Sequence, residues 1–138
     1  MMVIDADNAV YGRLSTFVAK KLLEGGEEVT ILNADKVVVT GSRDFIINRF
    51  RERREIGSVR KGPYYPKTSR EILRRSIGDM LPKKKTRGKE ALHRCKVYSG
   101  FPEAFKGAQV VRVEKAMNRK VNGFVTLGEI SRLLGQKV

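Results

Sequence analysis

Histidine and cysteine are almost missing from this chain of 138 residues: there is one of each, His93 and Cys95, and tryptophan is absent. A single cysteine excludes an intramolecular disulfide framework. One histidine and one cysteine are too few for a zinc site. Two residues apart on a helix, they point to different sides, which argues against a Cys–His dyad. No apolar run approaches the roughly 20 residues that a membrane-spanning helix needs. Met1-Met2-Val3-Ile4-Asp5 has neither a basic n-region nor an apolar h-region, so no signal peptide is expected and the chain reads as cytoplasmic. Acidic residues are also scarce, 15 against 29 lysines and arginines. Asp5 and Asp7, at a strand end, suit a turn better than a pair of carboxylates for acid–base work.

What remains is charge of one sign. The formal net charge is +14, and its distribution says more than its size. Residues 1–48 carry a net −2, residues 49–96 a net +12 and residues 97–138 a net +4. From Lys83 to Lys96 seven residues are Lys or Arg and one, Glu90, is acidic. Such a run repels itself unless a polyanion lies across it. A concentrated basic block is the footprint of a nucleic-acid surface. A membrane surface would ask for an amphipathic helix with large apolar residues beside the basic ones. The block instead mixes Gly, Pro and Tyr with its charge.

The flanking thirds read as a scaffold. Met2 to Ala6 is a short apolar run, read as a buried strand. Asp7-Asn8 offers turn and N-cap chemistry. Val10, Leu14, Phe17, Val18 and Leu22 fall on one helical face, and Gly25-Gly26 stops that helix. Val29 to Leu32 is a second strand, and Val37 to Val39 a third or an extension of the second. Strand, helix and strand make a βαβ unit, and near-continuous apolar strands fit a parallel sheet. Ser42 is placed to cap a helix that carries Ile46, Ile47 and Phe50 on one side and Arg49, Arg51, Arg53 and Arg54 toward its end. Thr68-Ser69-Arg70-Glu71 matches a capping box, as does Thr126-Leu127-Gly128-Glu129. Helices are predicted from Thr68 to Leu81, from about Thr86 to Arg94, and around Ile130, Leu133 and Leu134. Lys96 to Gly100 and Ala108 to Val113 are further strand candidates. The length suits a single domain, residues 1–138, in which 49–96 is a basic RNA-facing insertion and 1–48 with 97–138 the scaffold.

The candidate phosphate contacts are Arg49, Arg53, Arg54, Arg60, Lys61, Lys67, Lys83, Lys84, Lys85, Arg87, Lys89 and Arg94, because Lys and Arg donate to phosphate oxygens and Arg also forks or stacks. Tyr64 and Tyr65, held between Pro63 and Pro66, are placed to stack on an unpaired base or to pack their loop against the domain. Gly57, Gly62 and Gly88 would let backbone approach backbone closely. The turn Thr40-Gly41-Ser42 sits where α/β folds bind nucleotides, but it has one glycine and no G-x-G-x-x-G or G-K-[ST], so a tight turn is the favoured reading.

Several segments carry a family resemblance. Val3-Ile4-Asp5-Ala6 with Gly12-Arg13-Leu14, and Ile31-Leu32-Asn33-Ala34-Asp35-Lys36-Val37 running into Thr40-Gly41, are of this kind. Met80-Leu81-Pro82-Lys83, Arg87-Gly88-Lys89-Glu90-Ala91, Lys96-Val97-Tyr98 and Phe124 to Ile130 follow in order. Together they resemble the large-subunit ribosomal protein thirteen family, with Gly62 to Pro66 and the closing Leu-Gly-Glu-Ile helix of archaeal type. Gly78-Asp79-Met80 departs from the family, which usually has glycine directly before the methionine. The resemblance implies a three-layer α/β/α fold around a mainly parallel four-stranded sheet. It also implies a structural role: binding large-subunit rRNA beside neighbouring ribosomal proteins and supporting subunit assembly. Neither catalysis nor a cofactor, a membrane or a small-molecule substrate is implied. The alternatives are an RNA-binding translational regulator acting off the ribosome and a nucleotide-binding α/β enzyme.

Overall fold

The computed structural model describes residues 2–55, 66–82, 84–120 and 122–134, apart from the side chains of Arg54 and Glu55. The chain is a mixed α/β protein. Met2–Asp5 (β1), Val29–Leu32 (β2) and Cys95–Val97 (β4) form a parallel sheet in the order β1-β2-β4. Ile4 pairs with Ile31, which pairs in turn with Val97. Val111 adds a parallel bridge to Ile4 on the far side of β1, through Asp5 N–H to Val111 O at 3.0 Å and Val111 N–H to Val3 O at 2.9 Å. The predicted Ala108–Val113 strand is thus a single bridge at the fourth position of the sheet.

Tyr11–Gly25 (α1) links β1 to β2, and Ser69–Asp79 (α3) and Thr86–His93 (α4) lie between β2 and β4. Both parallel crossovers step the same way across the sheet. A right-handed connection therefore puts α1 and the α3–α4 pair on the same face. These three helices do pack on one another. All four residues of β2 are buried, so the sheet is covered on both faces. Ile4, Leu14, Val18, Leu22, Ile31, Ile72, Leu73 and Ile77 fill the core with no exposed surface. Burying a Leu or Ile side chain contributes about 1.5–3 kcal/mol, and this apolar cluster is what fixes α3 and α4.

Val38–Thr40 (β3) leaves the parallel sheet. It pairs antiparallel with Phe124–Thr126 (β5) in a separate ribbon. Leu127–Leu133 (α5) follows directly, and Thr126 Oγ1 accepts from Glu129 N–H at 3.3 Å as its sequence match predicts. The other capping-box match forms no such bond. Thr68 precedes α3, but its hydroxyl oxygen is buried without a hydrogen-bond partner. The following Ser69 turns inward, where its hydroxyl bonds Asp35 Oδ1 and lies 3.2 Å from Ser99 Oγ. Tertiary bonding has taken over a residue that local chemistry assigns to a cap.

The N-cap role of Asp7-Asn8 is likewise displaced. Ala9 and Val10 bridge to Met117 and Val38 before α1 starts at Tyr11. Asp5 Oδ1 instead accepts from Asp7 N–H at 3.0 Å and from Asn33 Nδ2 at 2.9 Å, tying two loops. At the other end of α1, Gly26 adopts φ 63°, the left-handed C-terminal turn expected of Gly25-Gly26. Arg43–Glu55 (α2) opens with Phe45 N–H near Ser42 Oγ, at 3.4 Å.

Candidate nucleic-acid interface

The basic residues divide by what their side chains already hold. Arg49, Lys67, Lys84, Lys85, Arg87 and Lys89 are exposed. Arg53 is half-buried with its guanidinium 5.3 Å from the Phe50 ring centre, so its charge sits on an apolar ring at the surface of α2. Arg54 continues that helix. Arg60, Lys61, Tyr64, Tyr65 and Lys83 lie outside the described residues, as do Gly57 and Gly62.

Two arginines of the second half of the block face the protein. Arg94 donates to Leu22 O at 2.7 Å, and Arg87 donates to Leu23 O at 3.2 Å. Both acceptors are carbonyls in the last turn of α1. A helix C-terminus carries partial negative charge and unpaired carbonyls, so two cations seven positions apart, one in the first turn of α4 and one just past its end, complete it. Arg74 does the same for α4, donating to Leu92 O at 3.1 Å and to Cys95 O at 3.4 Å. The run from Pro82 to Lys96 therefore combines exposed lysines with two arginines that bond back to α1, Arg94 half-buried and Arg87 exposed. Those bonds help to set where the lysines stand.

Gly88 has an internal reason too. A Cβ there would collide with the carbonyl oxygen of Pro82, so the space belongs to the turn before α4 and not to a ligand. Lys85 N–H closes that turn on Pro82 O at 3.1 Å. Gly41 resolves in the same way. Its φ is 135°, and a Cβ would lie 3.3 Å from Ile46 Cδ1, as a tight strand-to-helix turn requires.

Three hollows lie along α3, α4 and the edge of β4 that no described strand covers. One of about 430 Å³ is lined by Glu71, Arg74, Arg75 and Asp79 among others. One of about 390 Å³ adds Arg70, His93, Lys96 and Tyr98. One of about 520 Å³ lies between Lys89, Glu90, His93 and Arg94. Arg74 belongs to the first two and His93 to the last two, so the hollows form one trough. Arg70, Arg75 and Lys96 are exposed along it, yet none is among the sequence candidates. Arg70 and Arg75 sit on the helix predicted from Thr68 to Leu81, between the two runs of candidates. Their position beside Lys96 depends on α3 lying against β4. The net charge of residues 49–96 was the one sequence signal that included them.

Nucleophilic chemistry has no support here. Cys95 is buried at the start of β4, and burial pushes its thiol up to about 11, with Arg74 acting in the opposite direction. The side chain of His93 is exposed on the last turn of α4 while Cys95 faces the core. Among the described residues no cluster of His, Cys, Asp and Glu could hold a metal ion, and no helix is long and apolar enough to cross a membrane.

The comparisons with known proteins agree with one another. The family model "Ribosomal protein L13" matches residues 1–104. The large ribosomal subunit protein uL13 of Picrophilus torridus is 61% identical over 136 residues, covering 99% of this chain and 98% of that protein. The uL13 of Thermoplasma volcanium is 62% identical over 135 residues, 98% of each chain. The uL13 of Methanosarcina barkeri is 44% identical over 139 residues, 99% of each. All three organisms are archaea, in line with the archaeal features of the sequence. On this agreement along nearly its whole length, the chain belongs to the ribosomal protein L13 family.

Proposed function

We propose that this protein is a structural constituent of the large ribosomal subunit that binds large-subunit rRNA and supports assembly of the subunit. It is not an enzyme: its family and its curated relatives are ribosomal proteins. The names of those relatives place them in the large subunit, and this chain aligns with them almost end to end.

The observation that supports RNA as the partner is the outward basic face. Lys84, Lys85 and Lys89 around α4 and Arg49 on α2 are exposed. The trough beside α4 adds Arg70, Arg75 and Lys96. Phosphate contacts of this kind fix position and register on folded RNA, with shape and not base sequence as the main readout. Residues 49–96 are the RNA-facing part of the single domain, and residues 1–48 and 97–138 carry it. Arg60, Lys61, Tyr64, Tyr65 and Lys83, outside the described residues, are proposed RNA contacts on their place in the sequence alone. Neighbouring ribosomal proteins and a ribosomal location in the cytoplasm follow from the same role.

Sucrose-gradient fractionation of a cell lysate tests it. The tagged protein should travel with large subunits and remain there after a high-salt wash. Recovery only in the soluble fractions would refute the assignment.

A further inference from the structure

The hollow between α3 and β4 has features that a purely electrostatic surface does not need. Its floor is a strand edge that no described strand covers. Arg94 O accepts from Val29 N–H, and Tyr98 N–H donates to Ile31 O, so the even-numbered residues of this strand bond β2. The N–H and C=O of Cys95 and Val97 therefore face the opposite edge. The Cys95 carbonyl confirms the direction, because it accepts from Arg74 on α3. Val97 has no such partner: neither its N–H nor its C=O bonds another described residue across that edge. A donor and an acceptor thus sit side by side at the base of a hollow of about 390 Å³.

The walls supply what would complete a nucleotide site. Tyr98 is half-buried and lines the hollow, with Phe105 supporting its ring at 5.5 Å between centres. Lys96 and Arg70 are exposed at the rim, and neither forms an ion pair with a described residue. Glu71 is the one carboxylate among the lining residues and disfavours phosphate at its own position.

Granting RNA binding as proposed above, we infer that this hollow receives one unpaired base extruded from the RNA. Its hydrogen-bonding edge meets the N–H and C=O of Val97, its ring lies against Tyr98, and its phosphate reaches Lys96 and Arg70. Unpaired bases are recognised in this way, by stacking on aromatic rings and bonding along their edges, whereas the bases of a duplex are not accessible.

The test uses the full chain, short single-stranded RNA homopolymers of each base, and an RNA duplex of the same length. Amide NMR follows Val97 while titration gives affinity. At least one single strand should shift the Val97 amide, and the duplex should leave it in place. Tyr98→Ala should weaken binding of that strand by about fivefold or more, the range of base–aromatic stacking, and change duplex binding by less than about twofold. Tyr98→Phe should retain binding. Equal binding of the single strand by folded Tyr98→Ala, or an equal loss for strand and duplex, would overturn the inference. Should Tyr98→Ala fail to fold, an unmoved Val97 amide in the wild-type chain, or full single-strand affinity in Lys96→Ala, would overturn it instead. A wild-type chain that binds neither RNA refutes the RNA reading itself. A chain in which Lys89→Ala weakens binding while Tyr98→Ala does not loses only the base pocket.

Discussion

Arg94 donates to the carbonyl of Leu22 at 2.7 Å, across 72 positions of sequence. This bond ties the helix that displays the lysines to the helix at the centre of the core. A charged hydrogen bond of this kind contributes about 1.5–3 kcal/mol. Arg94→Ala should lower stability by about that amount in chemical denaturation. RNA affinity measured on the folded fraction should keep its salt dependence, because no phosphate contact is lost. A changed salt slope with unchanged stability would place the Arg94 side chain on the RNA.

The exposed lysines should behave in the opposite way. If about eight of the central basic residues meet phosphate, log affinity should fall against log salt with a slope of roughly −6 to −7. Lys84→Ala, Lys85→Ala and Lys89→Ala should each reduce that slope by roughly 0.7–0.9. Melting temperatures should barely move, since these side chains are exposed. Changing Lys83, Lys84 and Lys85 together should add the losses. A wild-type slope near about −2 would contradict a surface built on many phosphate contacts.

Gly88 separates the two roles on one helix turn. Its missing Cβ leaves room for the carbonyl of Pro82, which is backbone and has no flexible end to swing away. Gly88→Ala must push α4 off the turn at Pro82. Overpacking of this kind costs about 1–3 kcal/mol. The outward lysines would shift with the helix, so stability and RNA affinity should fall together. Thermal melting and titration on the same sample check both. A stable Gly88→Ala protein with weakened RNA binding would show instead that the glycine makes room for the RNA.

The sequence was most legible where one face of an element decides its fate. Leu14, Val18 and Leu22 mark α1, and the apolar run Val29 to Leu32 marks the central strand, because period and burial coincide there. It was least legible where tertiary partners decide. Thr68 and Thr126 stand in the same local pattern, yet only Thr126 caps its helix, since Asp35 and Ser99 draw Ser69 inward beside Thr68. The third apolar run looks like a continuation of the parallel sheet, but β3 pairs with β5 from the far end of the chain. The basic block was visible as charge. Which of its members bond back to the protein was not, because Arg87 and Arg94 find the end of α1 only after folding. Arg70, Arg75 and Lys96 became candidates by the packing of α3 beside the edge of β4.

Cys95 gives a stability test that needs no RNA. Its thiol is pushed up from 9.0 to about 11, mainly because burial at the start of β4 disfavours the thiolate. In the unfolded chain the thiol ionises near its ordinary value. Below about pH 9 both states hold the proton, and this contribution to stability is fully present. Between about pH 9 and 11 the unfolded chain releases a proton that the folded chain keeps, so stability falls as pH rises. A shift of about two pKa units corresponds to about 2 to 3 kcal/mol, most of it lost by the upper end of that window. Any other change of charge in that window is shared by a Cys95→Ala variant. The stability of wild type minus that of Cys95→Ala should therefore be flat below about pH 9 and decline by about 2 to 3 kcal/mol toward about pH 11. Denaturation of both proteins across that range measures it, and parallel curves would show that the folded thiol ionises as freely as the unfolded one.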